Sequence, residues 1–372
     1  MLEVQRFLRS EGATEQKLAA LKSQYGIGHR RHREHPQLVL LKYNQIESPM
    51  DEAIVQECRG IILDESSNWD VVSMAFRKFF NHGEGHAAPI NWATARVQEK
   101  VDGSLMVLYR YDEWRVATTG SPDAGGDVND FSMTFEELFW KTFPESVELE
   151  ALDPNCSYFF ELTSPYNRIV VQQKSSSLTL LGARNKVTLQ EMTPSSVAHL
   201  FPGVRVVCEF FLGSFDEIAA TFGSMSPLEQ EGYVVVDGSF NRVKVKHPGY
   251  VALHYAKGSM TMKALVDIAR SGETSEVITA FPEFAERLQD ARVLVDALVD
   301  ELQRDYDRIA SIETQKEFAL KAVKSRLSAA LFCVRAKKSE SIRRYVAEMR
   351  IDQLMAVLGY KSAEEPLQQE VP

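Results

Sequence analysis

A chain of 372 residues holds about two domains and a sizeable core, and a hydrophobic fraction of 44% with 25% charged residues excludes the disordered, fibrous and membrane-embedded classes. No apolar run approaches the roughly 18 residues needed to cross a bilayer, and the N-terminal MLEVQRFLRSEG lacks a signal-peptide core, so a cytoplasmic protein is expected. The net charge of −10 argues against indiscriminate nucleic-acid binding and leaves room for a local basic surface. Cys58, Cys156, Cys208 and Cys333 form no C-x-x-C pair, which predicts reduced core thiols in place of a disulfide framework or zinc site.

In chain order, residues 14–25 (TEQKLAALKSQY) predict a short amphipathic helix with Leu18 and Leu21 on its apolar side. The basic tract HRRHREH at 29–35 could touch phosphates but is favoured as a solvated loop. Residues 37–44 (QLVLLKYN) predict a strand, and Glu57-Cys58-Arg59-Gly60 leads into another at 61–64. An arginine at the mouth of a buried strand is either paired with a core carboxylate or aimed at a ligand. Residues 71–81 (VVSMAFRKFFN) add a strand with Arg77 and Lys78 among aromatics, and NHGEGH at 81–86 reads as a loop without trustworthy metal-ligand spacing.

Residues 95–99 lead into Lys100, which stands before a D-G turn and the strand SLMVLYRY at 104–111. A lysine amine is a nucleophile near neutral pH only where burial, neighbouring cations or a metal favour its neutral form. Gly103 is expected to clear space for an approaching phosphate. Taken alone, the string is equally a solvent-exposed lysine before a turn. Residues 104–111 and 114–119 predict a hairpin, 132–143 a helix, and SYFFEL at 157–162 an aromatic strand. Glu161 on that strand needs a partner if buried, structural or ligand. LTLLGARN predicts a further strand, and 194–230 holds two short helical stretches around the strand VRVVCEF. Glu231 opens the strand EGYVVV, and in NRVKVK (241–246) the period of two sets Arg242, Lys244 and Lys246 on one face. Such a row is commonly a solvated face. With a lone lysine and two acids on other strands, it also meets the needs of a polyphosphate and metal site.

Together ECRGIILD (57–64), FRKFFN (76–81), EKVDGSL (99–105), FFELTSPYNRIVV (159–171), EGYVVV (231–236) and KVKHPGYVALH (244–254) make the chain resemble the bacteriophage-type RNA ligase 1 family. These are ATP-dependent members of the covalent nucleotidyltransferase superfamily. The resemblance implies an α+β fold: an antiparallel-sheet nucleotidyltransferase (ATP-grasp-like ligase) domain at 1–260 and an all-α C-terminal domain at 261–372.

It further implies that Lys100 attacks the α-phosphorus of ATP and carries AMP as a phosphoramidate. AMP then passes to an RNA 5'-phosphate, and a 3'-hydroxyl displaces it to seal the strand. Lys244 and Lys246 would neutralise charge on the α-phosphate and, with Mg²⁺ or Mn²⁺, favour the neutral Lys100 amine. Glu231 would be the metal or metal-water ligand, Glu161 would accept from the ribose hydroxyls, and Arg59 and Lys78 would contact the nucleotide and its phosphates. Asn167 and Arg168 match a family string without a defined role. Relatives often carry a lysine just before the G-S that follows the hairpin, where this chain has Thr119. Arg115 or the 29–35 tract are the candidates to compensate.

Beyond residue 260, apolar spacings of three and four predict amphipathic helices. Residues 273–313 carry 11 acids and 4 bases, and 321–350 carry 9 bases and 2 acids. Pairing between these segments is as well supported as an RNA-backbone surface at Lys337, Lys338, Arg343 and Arg344. The tail SAEEPLQQEVP is expected to fray. The resulting expectation is a monomeric ATP-dependent RNA ligase acting on 5'-phosphate and 3'-hydroxyl ends, plausibly in tRNA repair. A DNA-end ligase, an enzyme that stops at adenylate transfer, and a non-catalytic RNA-binding protein remain the alternatives.

Overall fold

The computed structural model describes residues 1–129, 131–167, 171, 173–255, 261–280 and 282–360. Arg168 and the tail lie outside them. The chain divides into two compact units, Met1–Tyr250 and Val251–Pro372.

The first unit is built on three sheets. β1 (Ile27–Arg31), β2 (Leu38–Tyr43), β3 (Arg59–Asp64) and β4 (Asp70–Ser73) form an antiparallel sheet in that order. Helices Glu3–Leu8 and Thr14–Tyr25 bury Leu8, Leu18 and Leu21 against Val39, Leu41, Ile61 and Leu63 of that sheet. The strands that follow are β5 (Phe80–Asn81), β6 (Arg96–Glu99), β7 (Ser104–Arg110), β8 (Trp114–Thr118), β9 (Cys156–Thr163), β10 (Ser177–Asn185) and β11 (Glu191–Met192). β12 (Arg205–Val206), β13 (Glu209–Phe210), β14 (Gly232–Val236) and β15 (Arg242–Lys246) complete the set. One sheet runs β11-β10-β9-β7-β8 with β12 beside β10, and another runs β13-β6-β14-β15-β5. Pairing is antiparallel apart from β10 with β12 and β15 with β5.

The alternation along β9 separates the two faces of its sheet. Tyr158, Phe160 and Leu162 enter a core with Leu138, Phe139 and Phe201. Phe159 faces the other way, against Phe76 and Val107, and Glu161 shares that side.

One loop expectation and two strand expectations need correction. The basic tract is not simply a loop: His29–Arg31 belong to β1, paired to β2, and His32 is buried, its Nδ1 accepting from the amides of Glu34 and His35. Residues 71–81 are not one strand. β4 ends at Ser73, and residues 74–79 cross to the sheet that holds β5, with their backbone groups bonded outside any ladder. Ser157 Oγ accepts from the Met74 amide, Arg184 Nε donates to the Ala75 carbonyl and the Lys78 amide donates to the Gln56 carbonyl. VRVVCEF likewise changes sheets, with β12 on β10 and β13 on β6.

The second unit is helical, with segments Met262–Ser271, Thr274–Ala280, Ala285–Ile309, Gln315–Ala322, Ser328–Arg335, Ile342–Glu348 and Ile351–Leu358. Leu265, Leu288, Val295, Leu302, Phe318, Leu331 and Val346 form its core. The charge asymmetry is met partly by internal pairing, as Arg343 reaches Asp296 at 2.7 Å and Arg326 reaches Glu301 at 3.6 Å. Among the described residues no helix is long and apolar enough to cross a membrane. All four cysteines are free thiols; Cys58 and Cys156 are buried, but Cys208 is exposed and Cys333 half-buried.

Candidate active site

β6, β14 and β15 lie side by side, and their register brings three charged side chains to one end of the sheet. Tyr233 pairs with Glu99 and Gly232 with Lys246. Lys100, one residue beyond β6, therefore sits beside Glu231, one residue before β14, and Lys246, the last residue of β15. Backbone bonds hold the corner: the Lys100 amide donates to the Gly232 carbonyl and the His247 amide to the Glu231 carbonyl, both at 2.9 Å.

Glu231 is buried and bridges two ammonium groups. Its Oε2 lies 2.6 Å from Lys100 Nζ and its Oε1 lies 3.2 Å from Lys246 Nζ. Burial alone would raise this carboxyl, but the charges of Lys100 and Lys246 outweigh it and hold the group below the usual range.

Lys244 lies two residues back on the same face of β15. Burial, then the charges of Lys78, Lys100, Lys246 and Arg59, push its amine down to about 7. Glu161 is pushed up to about 7 by burial, against the pull of Lys100 and Arg59. Both side chains keep a rim of exposed surface while most of each is enclosed.

Arg59, the first residue of β3, rests its guanidinium over the rings of Phe76 and Phe79 at 4.8 and 6.0 Å. Its Nη1 is buried with no hydrogen-bond partner among the described residues. Lys78 donates to Gln45 Oε1 at 3.2 Å and lies over Tyr43 and Phe80. The residues singled out from sequence, Arg59, Lys78, Lys100, Glu161, Glu231, Lys244 and Lys246, thus fall in one electrostatic neighbourhood. Among the described residues these five basic side chains face Glu161, Glu231 and the neighbouring Asp102, with Glu161 and Lys244 both titrating near neutrality. The unpartnered Arg59 nitrogen and this excess of positive charge fit a polyphosphate ligand.

Among the described residues no group of three or more His, Cys, Asp or Glu encloses a metal. A single carboxylate beside phosphate-binding lysines suits Mg²⁺, which keeps much of its shell as water and phosphate oxygen. Glu231 is the residue that would hold it.

Gly103 is needed for a reason other than phosphate access. A Cβ there would stand 2.4 Å from the Leu162 carbonyl oxygen and 3.1 Å from Glu161 Cγ, so the absent side chain lets the Lys100 turn lie against β9. Asp102 anchors the same turn, accepting from the Val171 amide at 2.8 Å and the Tyr250 hydroxyl at 2.9 Å. Asn167 donates to the Leu162 carbonyl and Ser104 Oγ, at 2.9 and 3.2 Å. The roles of Asp102 and Tyr250 escaped sequence reasoning. The sole local signal was the K-x-D-G string, and the partners lie 69 and 148 residues away.

Three of the arginines that are candidates to replace the lysine absent at Thr119 are paired with carboxylates. Arg115 is paired with Asp112, Glu34 and Glu113, Arg31 with Glu65 and Glu15, and Arg33 with Asp123. Lys42 of β2 reaches this place instead, its Nζ 3.5 Å from where a Cβ on Gly120 would be. Gly60, at φ 85°, passes so close to Thr119 that a Cβ would meet its Cα at 2.8 Å.

Comparison with known proteins bears on the whole arrangement. The chain is 26% identical over 340 residues to the RNA ligase of Rhodothermus phage RM378, covering 73% of this chain and 76% of that one. It is 29% identical over 305 residues to a protein of Autographa californica nuclear polyhedrosis virus named as a bifunctional polynucleotide kinase/RNA ligase. That match covers 76% of this chain and 42% of the viral protein, so the chain spans less than half of that relative. Among solved structures, an archaeal ATP-dependent RNA ligase superposes with a TM-score of 0.47 at 13% identity, over 81% of this chain and 83% of that one. The family model for RNA ligase of the bacteriophage RNA ligase 1 type matches residues 57–250, just over half of the chain and every strand of the Lys100 site, and the protein belongs to that family.

Proposed function

We propose that this protein is an ATP-dependent RNA ligase that joins 5'-phosphate and 3'-hydroxyl RNA ends through a covalent lysyl-AMP, working as a cytoplasmic monomer in RNA repair, with tRNA a plausible substrate. The observation that carries the reading is the Lys100 ammonium held 2.6 Å from the buried Glu231 carboxylate, with Lys246 on that carboxylate's other oxygen and Lys244 on the same strand face.

Attack needs the neutral amine, so when ATP enters the Lys100–Glu231 pair has to open and the nitrogen has to give a proton to solvent, with a second lost as the phosphoramidate forms. Mg²⁺ or Mn²⁺ on Glu231, bound with the nucleotide, would screen phosphate charge. Lys100 Nζ then forms a bond to the α-phosphorus as the bond from that phosphorus to the bridging oxygen breaks, and pyrophosphate leaves. Lys244 and Lys246 neutralise charge that grows on the α-phosphate oxygens. Arg59, with its unsatisfied Nη1, and Lys78 hold the nucleotide and its phosphates, and Glu161 in its ionised form accepts from ribose hydroxyls. In the later steps an RNA 5'-phosphate oxygen takes AMP from Lys100, and a 3'-hydroxyl displaces AMP to form the phosphodiester.

Competition between single-stranded RNA carrying a 5'-phosphate and 3'-hydroxyl, the matching DNA, and nicked duplexes tests the assignment. Sealed RNA is the expected product. Sealing of DNA ends alone overturns the choice of substrate, and adenylated RNA that is never sealed overturns the ligase.

A further inference from the structure

On the same unit, a cavity of about 380 Å³ opens beyond Lys78, walled by Arg77, Arg184, Glu191, Phe240 and Arg242. We propose that it binds the phosphodiester backbone of the RNA strand, which extends the RNA ligase reading above and rests on it.

The charge of the cavity wall is unbalanced. Arg184 and Arg242 are about nine-tenths buried, with side chains 12% and 10% exposed, and both bond to the buried carboxylate of Glu191. Among the described residues, one carboxylate for two guanidiniums leaves a positive charge without a counter-ion in a place where an unmatched charge is costly. Lys78 adds a second, since its hydrogen-bond partner Gln45 is neutral, and Arg77, which meets Glu57 through Nη2 at 3.1 Å with its side chain 51% exposed, leaves the rest of its fork to a phosphate in the cavity. A phosphate drawn from solution supplies the missing charge; Arg184 spends its three nitrogens on Ala75, Leu189 and Glu191, so Arg242 and Arg77 are the forks that would meet it.

The geometry connects this cavity to Lys100. Arg242, Lys244 and Lys246 occupy alternate positions of β15, so their Cα atoms are spaced by about 7 Å along one face. That row leads from the Glu231 corner to the cavity wall, and its spacing is comparable with one step of an extended nucleic-acid backbone. Phe240 stands at the rim in a left-handed conformation, φ 60°, between the guanidiniums of Arg96 and Arg242 at 6.0 and 5.7 Å from its ring.

The test uses the full chain with Arg77→Gln and Arg242→Gln. Binding of a labelled, 5'-phosphorylated single-stranded RNA is followed by anisotropy at several salt concentrations, beside binding of α,β-methylene-ATP and thermal unfolding. The expected result is a five- to twentyfold loss of RNA affinity in each variant with nucleotide affinity kept within twofold. The salt dependence should flatten by about 0.7 per phosphate contact removed. Unchanged RNA affinity overturns the proposal, as does an equal loss of nucleotide affinity, which would give the cavity to the triphosphate. Should Arg242→Gln unfold, the exposed Arg77 carries the test, with Arg77→Glu expected to lose more RNA affinity than Arg77→Gln. These binding arms need no lysyl-adenylate, so a wild-type protein that fails to adenylate sinks the ligase reading separately.

Discussion

Lys100 and Glu231, 131 residues apart in the chain, meet at 2.6 Å in a corner where two neighbouring antiparallel strands end. The contact fixes Lys100 Nζ on one oxygen of a buried carboxylate whose other oxygen takes Lys246. On the proposed reading, ATP would have to open this pair.

Replacing Glu231 by Gln keeps the shape and removes the charge that bridges Lys100 and Lys246. Formation of the lysyl-adenylate is expected to slow by about 10²-fold, the scale of losing one electrostatic contact at a reacting centre. Single-turnover labelling with α-labelled ATP measures it, and an unchanged rate would remove Glu231 from the chemistry.

If Lys244 meets the nucleotide phosphates as proposed, its amine, pushed down to about 7, would make nucleotide binding a proton-linked event. In the free protein the amine loses its proton as pH rises through about 7, and a bound phosphate favours the ammonium. Binding of α,β-methylene-ATP near pH 8 should therefore take up protons. Calorimetry in buffers of different ionisation enthalpy reads the uptake. It should shrink in Lys244→Arg, whose guanidinium stays charged throughout. Equal proton uptake in both proteins would show that another group titrates.

Gly103→Ala introduces a methyl group where 2.4 Å separates the Cβ position from the Leu162 carbonyl oxygen. The turn must move away from β9, at a cost of about 1–3 kcal/mol for overpacking. A lowered denaturant midpoint together with weakened adenylation is expected. A variant as stable as the wild type would mean that the turn moves freely.

The sequence made the Lys100 corner legible because its information is local. The period of two in NRVKVK sets Lys244 and Lys246 on one face, Glu231 opens its strand, and one D-G turn follows Lys100. The hairpin at β7 and β8 and the helical second unit were readable for the same reason. What stayed hidden depends on contacts distant in the chain. The crossing at residues 74–79 reads as strand because its residue types are strand-like, but its bonds run to Ser157, Arg184 and Gln56. The basic tract looked like solvated charge, and the acids that pair with Arg31 and Arg33 come from residues 15, 65 and 123. Arg184 and Glu191 drew no attention, since sharing one carboxylate with Arg242 is visible only after the sheets assemble.

The most direct measurement is covalent labelling of the purified protein with Mg²⁺ and α-labelled ATP, after any bound AMP has been stripped with pyrophosphate, beside Lys100→Ala. The account predicts label on the wild-type protein, reversal by pyrophosphate, and none on the variant. A wild type that stays unlabelled with ATP and GTP alike, or a variant that labels as well as the wild type, would contradict it.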